Sequence, residues 1–107
     1  MAIANTPTDR IKEIVKGQKS FFGYEATLDI KFRKEMLLRL EWALRKWEKG
    51  LCEALWADLH KSYEEAYLTE ISIVYTEIRT HLRHLQRWAR REKRPTPLKL
   101  FPSRSYV

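Results

Sequence analysis

The apolar residues between positions 67 and 88 recur at steps of three or four, and this periodicity is the strongest constraint on the fold. The stripe consists of Tyr67, Ile71, Val74, Ile78, Leu82, Leu85 and Trp88. Such spacing keeps all its members on one face of an α-helix. Ser62 and Glu65 form a capping box ahead of the stripe, and Pro95 cannot continue a helix. The pattern predicts a long helix over about residues 62–92.

Three shorter helices are predicted ahead of it, over about residues 7–22, 29–49 and 50–59. The first begins in the run T-P-T-D at residues 6–9, where the first threonine caps, the proline suits the first turn and the aspartate closes a capping box. Thr27 or Asp29 starts the second helix. Gly50 ends it, because glycine costs about 1 kcal/mol inside a helix and favours a C-terminal cap.

The second predicted helix is apolar on two sides. One stripe consists of Phe32, Met36, Leu37, Leu40, Leu44 and Trp47. Leu38 and Trp42 lie four residues apart on the opposite side, at about 100° per residue. A helix that is apolar on two sides is usually covered on two sides. The other helices can cover one side, and the cover for Leu38 and Trp42 is expected to come from outside this chain.

The character of the sequence changes after Arg94. Pro95, Pro97 and Pro102 exclude helix and favour extended backbone. Residues 98–100 alternate as in a strand, and residues 105–107 begin a further extended run, yet no upstream segment resembles a strand that could pair with them. The predicted fold class is therefore all-α as it stands, with four helices in residues 1–94 and an extended tail in residues 95–107.

The excess positive charge lies at one end of the chain. Residues 1–82 are electrically balanced, whereas residues 83–107 contain eight Lys or Arg and one Glu, which accounts for the whole net charge of +7. One interpretation is a basic binding module that uses residues 83–104 on nucleic acid or an acidic partner. The favoured one is the cationic last turn of a helix leading into a linker, since interleaved aromatic residues are lacking. Salt-dependent binding to duplex DNA would distinguish the two.

Three groups of residues resemble reactive or metal-binding sites. Cys52 lacks an evident activating base, and Glu53 opposes its ionisation, so we expect a packing role. Glu77, His81 and His84 share a helix face at i, i+4 and i+7, but no second ligand cluster completes a metal site. The remaining group is an acid–base pair, Asp58 and His60, beside a helix end; a turn residue is its simpler interpretation.

The four tryptophans are expected to mark the core and an interface, because large aromatic side chains dominate the energetics of both. They are Trp42, Trp47, Trp56 and Trp88. We assign no catalytic, cofactor-binding or metal-binding residue in this chain. With one cysteine and no secretory signal in its first ten residues, the chain is expected to be cytoplasmic. No run of about 18 apolar residues predicts a membrane span.

The order of several short segments resembles the class 3, fatty-aldehyde type of aldehyde dehydrogenase, at its amino-terminal part. The segments are F-R at 32–33 followed by Leu37 and Leu40, A-L-x-x-D-L-x-K-S at 54–62, E-A-Y-x-x-E-I at 65–71, R-P-T-P at 94–97 and F-P-S-x-S-Y at 101–106. The resemblance covers about residues 10–107. His60 departs from it, since the family usually has glycine in the D-L-G-K turn; histidine is less comfortable in a left-handed conformation.

The resemblance implies a parent enzyme several hundred residues long that oxidises aldehydes to carboxylic acids with NAD or NADP. It also implies that the nucleophilic cysteine, the activating glutamate and the cofactor-binding strands lie beyond residue 107, so that this segment alone is inactive and binds no cofactor. The remainder of the parent, its cofactor-binding domain, would cover Leu38 and Trp42. The tail would start the bridging strands of a homodimer, and the basic end would be a linker that binds no nucleic acid.

Overall fold

The computed structural model describes residues 4–107, so the first three residues of the predicted segment 1–94 lie outside it. Its helices are α1 (Thr8–Gly23), α2 (Ile30–Leu59), α3 (Tyr63–Ala66) and α4 (Ser72–Trp88), and a π-helical turn (Tyr67–Ile71) joins α3 to α4 without a break. The part of the chain from residue 63 to residue 88 is thus one continuous rod. It packs antiparallel against α2, as the pairs Glu41–Arg79 and Glu48–Tyr75 show.

Two of the predicted helix starts have their expected caps. The Asp29 carboxylate accepts hydrogen bonds from the backbone N–H groups of Lys31 and Phe32, each at 3.2 Å. The Ser62 hydroxyl accepts one from the backbone N–H of Glu65, also at 3.2 Å. The predicted Thr6 cap was wrong, because Pro7 occupies the cap position and no side chain caps α1. The side-chain oxygens of Asp29 and Ser62 accept from backbone N–H groups that the first helical turn leaves unpaired.

The predicted break at Gly50 was wrong, since α2 runs through it for 30 residues. A Cβ at Gly50 would meet only the Trp47 ring, at 3.8 Å, and the backbone there is not left-handed. Helix α2 ends instead at His60, whose φ of 54° and ψ of 30° are left-handed, with its N–H donating to the Trp56 carbonyl at 2.9 Å. This left-handed conformation explains why glycine suits the position of His60.

The long helix ends at Trp88, earlier than the predicted residue 92, and the tail that follows folds back on itself. Strand β1 (Lys93–Arg94) pairs antiparallel with strand β2 (Ser105–Tyr106), and Glu92 and Val107 exchange two backbone hydrogen bonds of 2.8 and 2.9 Å beside them. The prediction that the tail lacks an upstream partner was therefore wrong. Residues 98–100 form a 3₁₀ turn, not the strand that their alternation indicated.

The core is small and lies where the middle and C-terminal part of α2 meets residues 66–78. The buried hydrophobic residues of the described chain are Cys52, Ala66, Ile71, Tyr75 and Ile78. The accessible surface is 9835 Å², whereas a compact protein of 12.9 kDa exposes roughly 6,300 Å². The radius of gyration is 20.6 Å, against about 13 Å for a compact chain of this length. Much apolar surface is left uncovered.

Candidate functional site

Cys52, the candidate nucleophile, lies in the core against Ala66, Ile71 and Tyr75. Burial raises the pKa of its thiol, and the carboxylates of Glu48 and Glu53 raise it further. A raised pKa reduces the thiolate fraction at neutral pH, and the thiolate is the reactive form. The surroundings of Cys52 therefore suit packing and oppose nucleophilic attack.

A carboxylate shared by two tyrosines lies beside this core. Glu48 accepts a hydrogen bond from the Tyr75 hydroxyl at 2.8 Å and one from the Tyr63 hydroxyl at 2.9 Å. These contacts join α2 to both parts of the facing rod. The Arg45 guanidinium also lies over the Tyr75 ring, 4.4 Å from its centroid. Tyr75 thus anchors the helix pair through its ring and its hydroxyl.

The unfolding free energy of the chain is expected to fall between pH 10 and 12 because of Tyr75. Burial, together with the hydrogen bond to Glu48, raises the pKa of Tyr75 to about 12, and an unfolded tyrosine ionises near pH ~10. The contribution of the neutral phenol is thus complete below the unfolded pKa and is lost as pH rises through the folded one. Urea unfolding at several pH values should show this decrease, and Tyr75→Phe should remove most of it. Tyr24→Phe, at a residue that is 84% exposed, should retain the decrease.

The second candidate group lies on one side of α4 without a shared centre. His81 and His84 direct their Nδ1 atoms to the backbone carbonyls of Glu77 and Thr80, at 2.8 and 3.0 Å. Both imidazoles also pack against the Trp88 ring, with centroid distances of 5.2 and 5.5 Å. Within residues 4–107, no group of three or more His, Cys, Asp or Glu side chains is arranged to hold a metal ion. His81 and His84 therefore contact the backbone and the Trp88 ring of their own helix.

The third candidate pair lies at the end of α2. The His60 ring packs against the Trp56 ring at a centroid distance of 5.3 Å, and the residue closes the helix. Asp58 instead lines a groove between α2 and the facing rod. Asp58 and His60 therefore contact different parts of the structure.

The tryptophans lie on the surface, so their predicted role in the core was wrong. Trp42, Trp47, Trp56 and Trp88 are between 50% and 65% exposed. Trp42 contacts Lys46, whose ammonium lies 5.2 Å from the ring centroid. Large exposed aromatic side chains are typical of surfaces that become buried on association.

Within residues 4–107, the candidate functional features are consequently two uncovered apolar surfaces. The first, which we call the acidic-rimmed groove, has a volume of about 320 Å³. Its floor and walls are apolar, and two carboxylates stand at its edge; the lining consists of Leu44, Leu51, Ala54, Leu55, Ile71 and Val74 with Asp58 and Glu70. Glu70 also pairs with Lys61 at 2.5 Å.

The second surface, the Leu38–Trp42 face, lies on the opposite side of α2. Leu38 is 54% exposed and Trp42 is 65% exposed. Beside them the Glu41 carboxylate pairs with Arg45 at 2.8 Å and with Arg79 at 3.5 Å. These two arginines lower the pKa of Glu41, the Arg45 hydrogen bond having the largest effect.

The basic end spans the last turns of α4 and the β1–β2 hairpin. Arg94 pairs with Glu92 at 2.6 Å, and all eight basic side chains belong to residues that are exposed. Leu98, Phe101 and Val107 are exposed among them. The basic end therefore exposes both charged and apolar side chains to solvent. Separately, no helix in the part of the chain from residue 4 onward is long and apolar enough to cross a membrane.

Sequence reasoning missed the Glu48–Tyr63–Tyr75 cluster. The predicted stripe contains Val74 by its spacing, yet Val74 is 42% exposed while Tyr75, outside the stripe, is 5% exposed. The two are adjacent, and both lie near the edge of the stripe. Tyr75 is the buried one because its hydroxyl donates to the Glu48 carboxylate on the facing helix. Only the tertiary structure shows that this carboxylate lies there.

Comparisons with known proteins give one consistent result. No protein-family model matches the chain. It is 43% identical over 89 residues to 4,4'-diaponeurosporen-aldehyde dehydrogenase of Staphylococcus aureus, covering 83% of this chain and 19% of that protein. It is 45% identical over 85 residues to bovine aldehyde dehydrogenase family 3 member B1, covering 79% of this chain and 18% of that protein.

The fold agrees with the sequence comparison. The solved structure of the substrate-bound state of Staphylococcus aureus AldH superposes with a TM-score of 0.84 at 39% identity, covering 99% of this chain and 22% of that one. The chain spans about a fifth of the length of the relatives it matches. It therefore belongs, as a segment of about that size, to family 3 of the aldehyde dehydrogenases.

Proposed function

We propose that this chain is the amino-terminal helical portion of an NAD(P)-dependent aldehyde dehydrogenase that oxidises aldehydes to carboxylic acids, and that the segment alone is inactive. The observation that carries the proposal is the unequal coverage, in which 83% of this chain matches only 19% of a named aldehyde dehydrogenase. The surface of 9835 Å² supports it, since a segment that normally packs on further chain leaves such surface when alone.

The residues of this chain do not fit a nicotinamide cofactor. Dinucleotide sites use a glycine-rich turn between a strand and a helix, where the backbone approaches the pyrophosphate. The three glycines here, at positions 17, 23 and 50, all lie within α1 or α2, and none has a positive φ. We therefore assign the cofactor and the catalytic cysteine to the remainder of the parent, and no catalytic step to these residues.

The proposed role of the segment is to pack on that remainder. The Leu38–Trp42 face offers two large apolar side chains with the charged Glu41–Arg45–Arg79 group beside them, and this combination suits a surface with an apolar centre and a polar rim. We propose that the cofactor-binding domain covers this face, that the tail belongs to the bridging strands of a cytoplasmic homodimer, and that the basic end is a linker that binds no nucleic acid.

Two measurements test the proposal. The purified chain, mixed with an aliphatic aldehyde and either NAD or NADP, should give no increase in absorbance from the reduced cofactor. An antibody raised against it should detect, in cells that express the gene, a polypeptide about five times its mass of 12.9 kDa, given the 18–22% coverage of relatives. Aldehyde-dependent cofactor reduction, or a cellular protein of only 12.9 kDa, would contradict the proposal.

A further inference from the structure

Apart from the paired helices, α1 leaves an apolar stripe uncovered along most of its length. None of the residues of α1 is buried. The five large side chains of this stripe are between 41% and 70% exposed; they are Ile11, Ile14, Val15, Phe21 and Phe22. At 100° per residue, all five fall within an arc of about 120°. A stripe of this width is typical of a helix that lies on an apolar surface.

The charged side chains of α1 are arranged around that stripe. One edge has a row of three lysines, Lys12, Lys16 and Lys19, which share a shallow surface with Ile11 and Val15. Within residues 4–107, these lysines belong to no ion pair. Arg10 stands at the other edge and pairs with Glu13 at 2.7 Å. Asp9 lies about 120° from either edge, on the side of the helix opposite the stripe.

This arrangement fits the surface of an anionic lipid bilayer. A helix that binds there places its apolar side chains at the boundary between headgroups and acyl chains. Its lysines extend their apolar stems along that boundary and direct their ammonium groups to the phosphates. The three lysines of α1 have no carboxylate partner, so their charge is available to anionic headgroups, while Asp9 faces water.

The other exposed apolar surfaces lack this combination. Beside the Leu38–Trp42 face, the Glu41 carboxylate pairs with Arg45 and Arg79, so the charges there are balanced within the chain. The basic end has more cations, but its exposed apolar residues belong to a 3₁₀ turn and the ends of a hairpin and do not form one helix face. Helix α1 is therefore the element best suited to lipid.

We propose that α1 is a peripheral membrane-binding arm, which lies in the surface of a bilayer that contains anionic phospholipid. Its 16 residues measure about 24 Å, less than the roughly 30 Å of a hydrocarbon core, so the helix lies on the bilayer and does not cross it. The inference goes beyond the proposed enzymatic role. It leaves the Leu38–Trp42 face available to the remainder of the parent.

Co-sedimentation with lipid vesicles tests the arm. The chain should sediment with vesicles of phosphatidylcholine and phosphatidylglycerol in equal amounts and stay in solution with phosphatidylcholine alone. Binding should decrease as the salt concentration rises. Lys12→Glu/Lys19→Glu and Ile14→Ser/Phe22→Ser should each weaken binding by roughly 10-fold or more, because the first reverses charges at the headgroups and the second removes buried apolar surface. All four residues are exposed, so the urea midpoint should stay unchanged.

Two control variants make matched changes elsewhere in the chain. Arg83→Glu/Arg87→Glu reverses two charges at the basic end, and Leu38→Ser/Trp42→Ser removes apolar side chains from the other face of α2. Each should weaken binding by less than about 3-fold at physiological salt, since charges farther than a Debye length from the bilayer are screened. Failure to bind anionic vesicles, binding that survives both arm variants, or equal losses in the arm and basic-end variants would each overturn the proposal.

Fractionation of cells that express the gene extends the test to the native polypeptide. An antibody against the chain should find the protein enriched with membranes, and Lys12→Glu/Lys19→Glu should move it to the soluble fraction. A native polypeptide that stays soluble although the purified chain binds vesicles would show that other residues cover α1, and it would overturn the proposal. The mass on the same blot tests the proposed function separately, so the two failures are distinguishable.

Discussion

Replacing Ala66 with aspartate should lower the unfolding free energy of the chain by about 3–5 kcal/mol. Ala66 is 0% exposed and packs in the cluster with Cys52, Ile71 and Tyr75. An aspartate there would bury a carboxylate close to the core, with no cation in that cluster to pair with it. Burying an unpaired charge costs about 3–5 kcal/mol. A single domain of this size is stabilised by about 5–15 kcal/mol, and this chain has few buried residues, so its margin lies at the low end.

The measurement is urea unfolding followed by circular dichroism at one fixed protein concentration. Ala57→Asp is the matched control, because Ala57 is an exposed residue of α2. There the aspartate costs only its lower helix propensity and an unfavourable position near the helix end, together about 1 kcal/mol. If Ala66→Asp and Ala57→Asp lose equal stability, the α2–α3 contact is not the core of this chain.

Truncating Ile78 to alanine should reduce the unfolding free energy by about 2–4 kcal/mol. Ile78 is 4% exposed, so the deleted methyl and methylene groups leave a cavity that the surrounding helices fill only in part. The same helix contains a control, Ile73, which is 54% exposed. Ile73→Ala should change stability by less than about 1 kcal/mol, because its side chain is already largely hydrated.

Both variants are compared by the urea midpoint, with the slope checked for a change in cooperativity. Equal losses for Ile73→Ala and Ile78→Ala would mean that the buried face of α4 is not the one described.

The long helices were predictable from sequence because periodicity, caps and prolines agree. Asp29 and Ser62 cap as expected, and the stripe of α4 contains the buried Ile71 and Ile78. The predicted break at Gly50 was wrong because the cost of a glycine inside a helix, about 1 kcal/mol, is smaller than the stabilisation from apolar packing on either side of it. Leu44 before Gly50 and Cys52 after it both contact the same cluster, so a continuous helix buries more apolar surface than a broken one.

The hairpin and the polar cluster could not be predicted for different reasons. Strands β1 and β2 have two residues each, which is too short for an alternating pattern, and Lys93 and Arg94 resemble a linker. The Glu48–Tyr75 bond spans 27 residues, and nothing in the local sequence of either partner indicates the other. The candidate surfaces were partly predictable. Exposure of Leu38 and Trp42 followed from helical geometry, but the acidic-rimmed groove depends on the register between α2 and α4.

The π-helical turn at Tyr67–Ile71 has a consequence for how the length of this protein can vary. A π turn accommodates one residue more than an α turn over the same stretch of axis. Deleting Thr69 would convert it to regular helix while Tyr75 and Ile78 keep their orientation toward α2, whereas a deletion within α4 would rotate every following side chain by about 100°. Relatives that are one residue shorter should therefore have lost it at this turn.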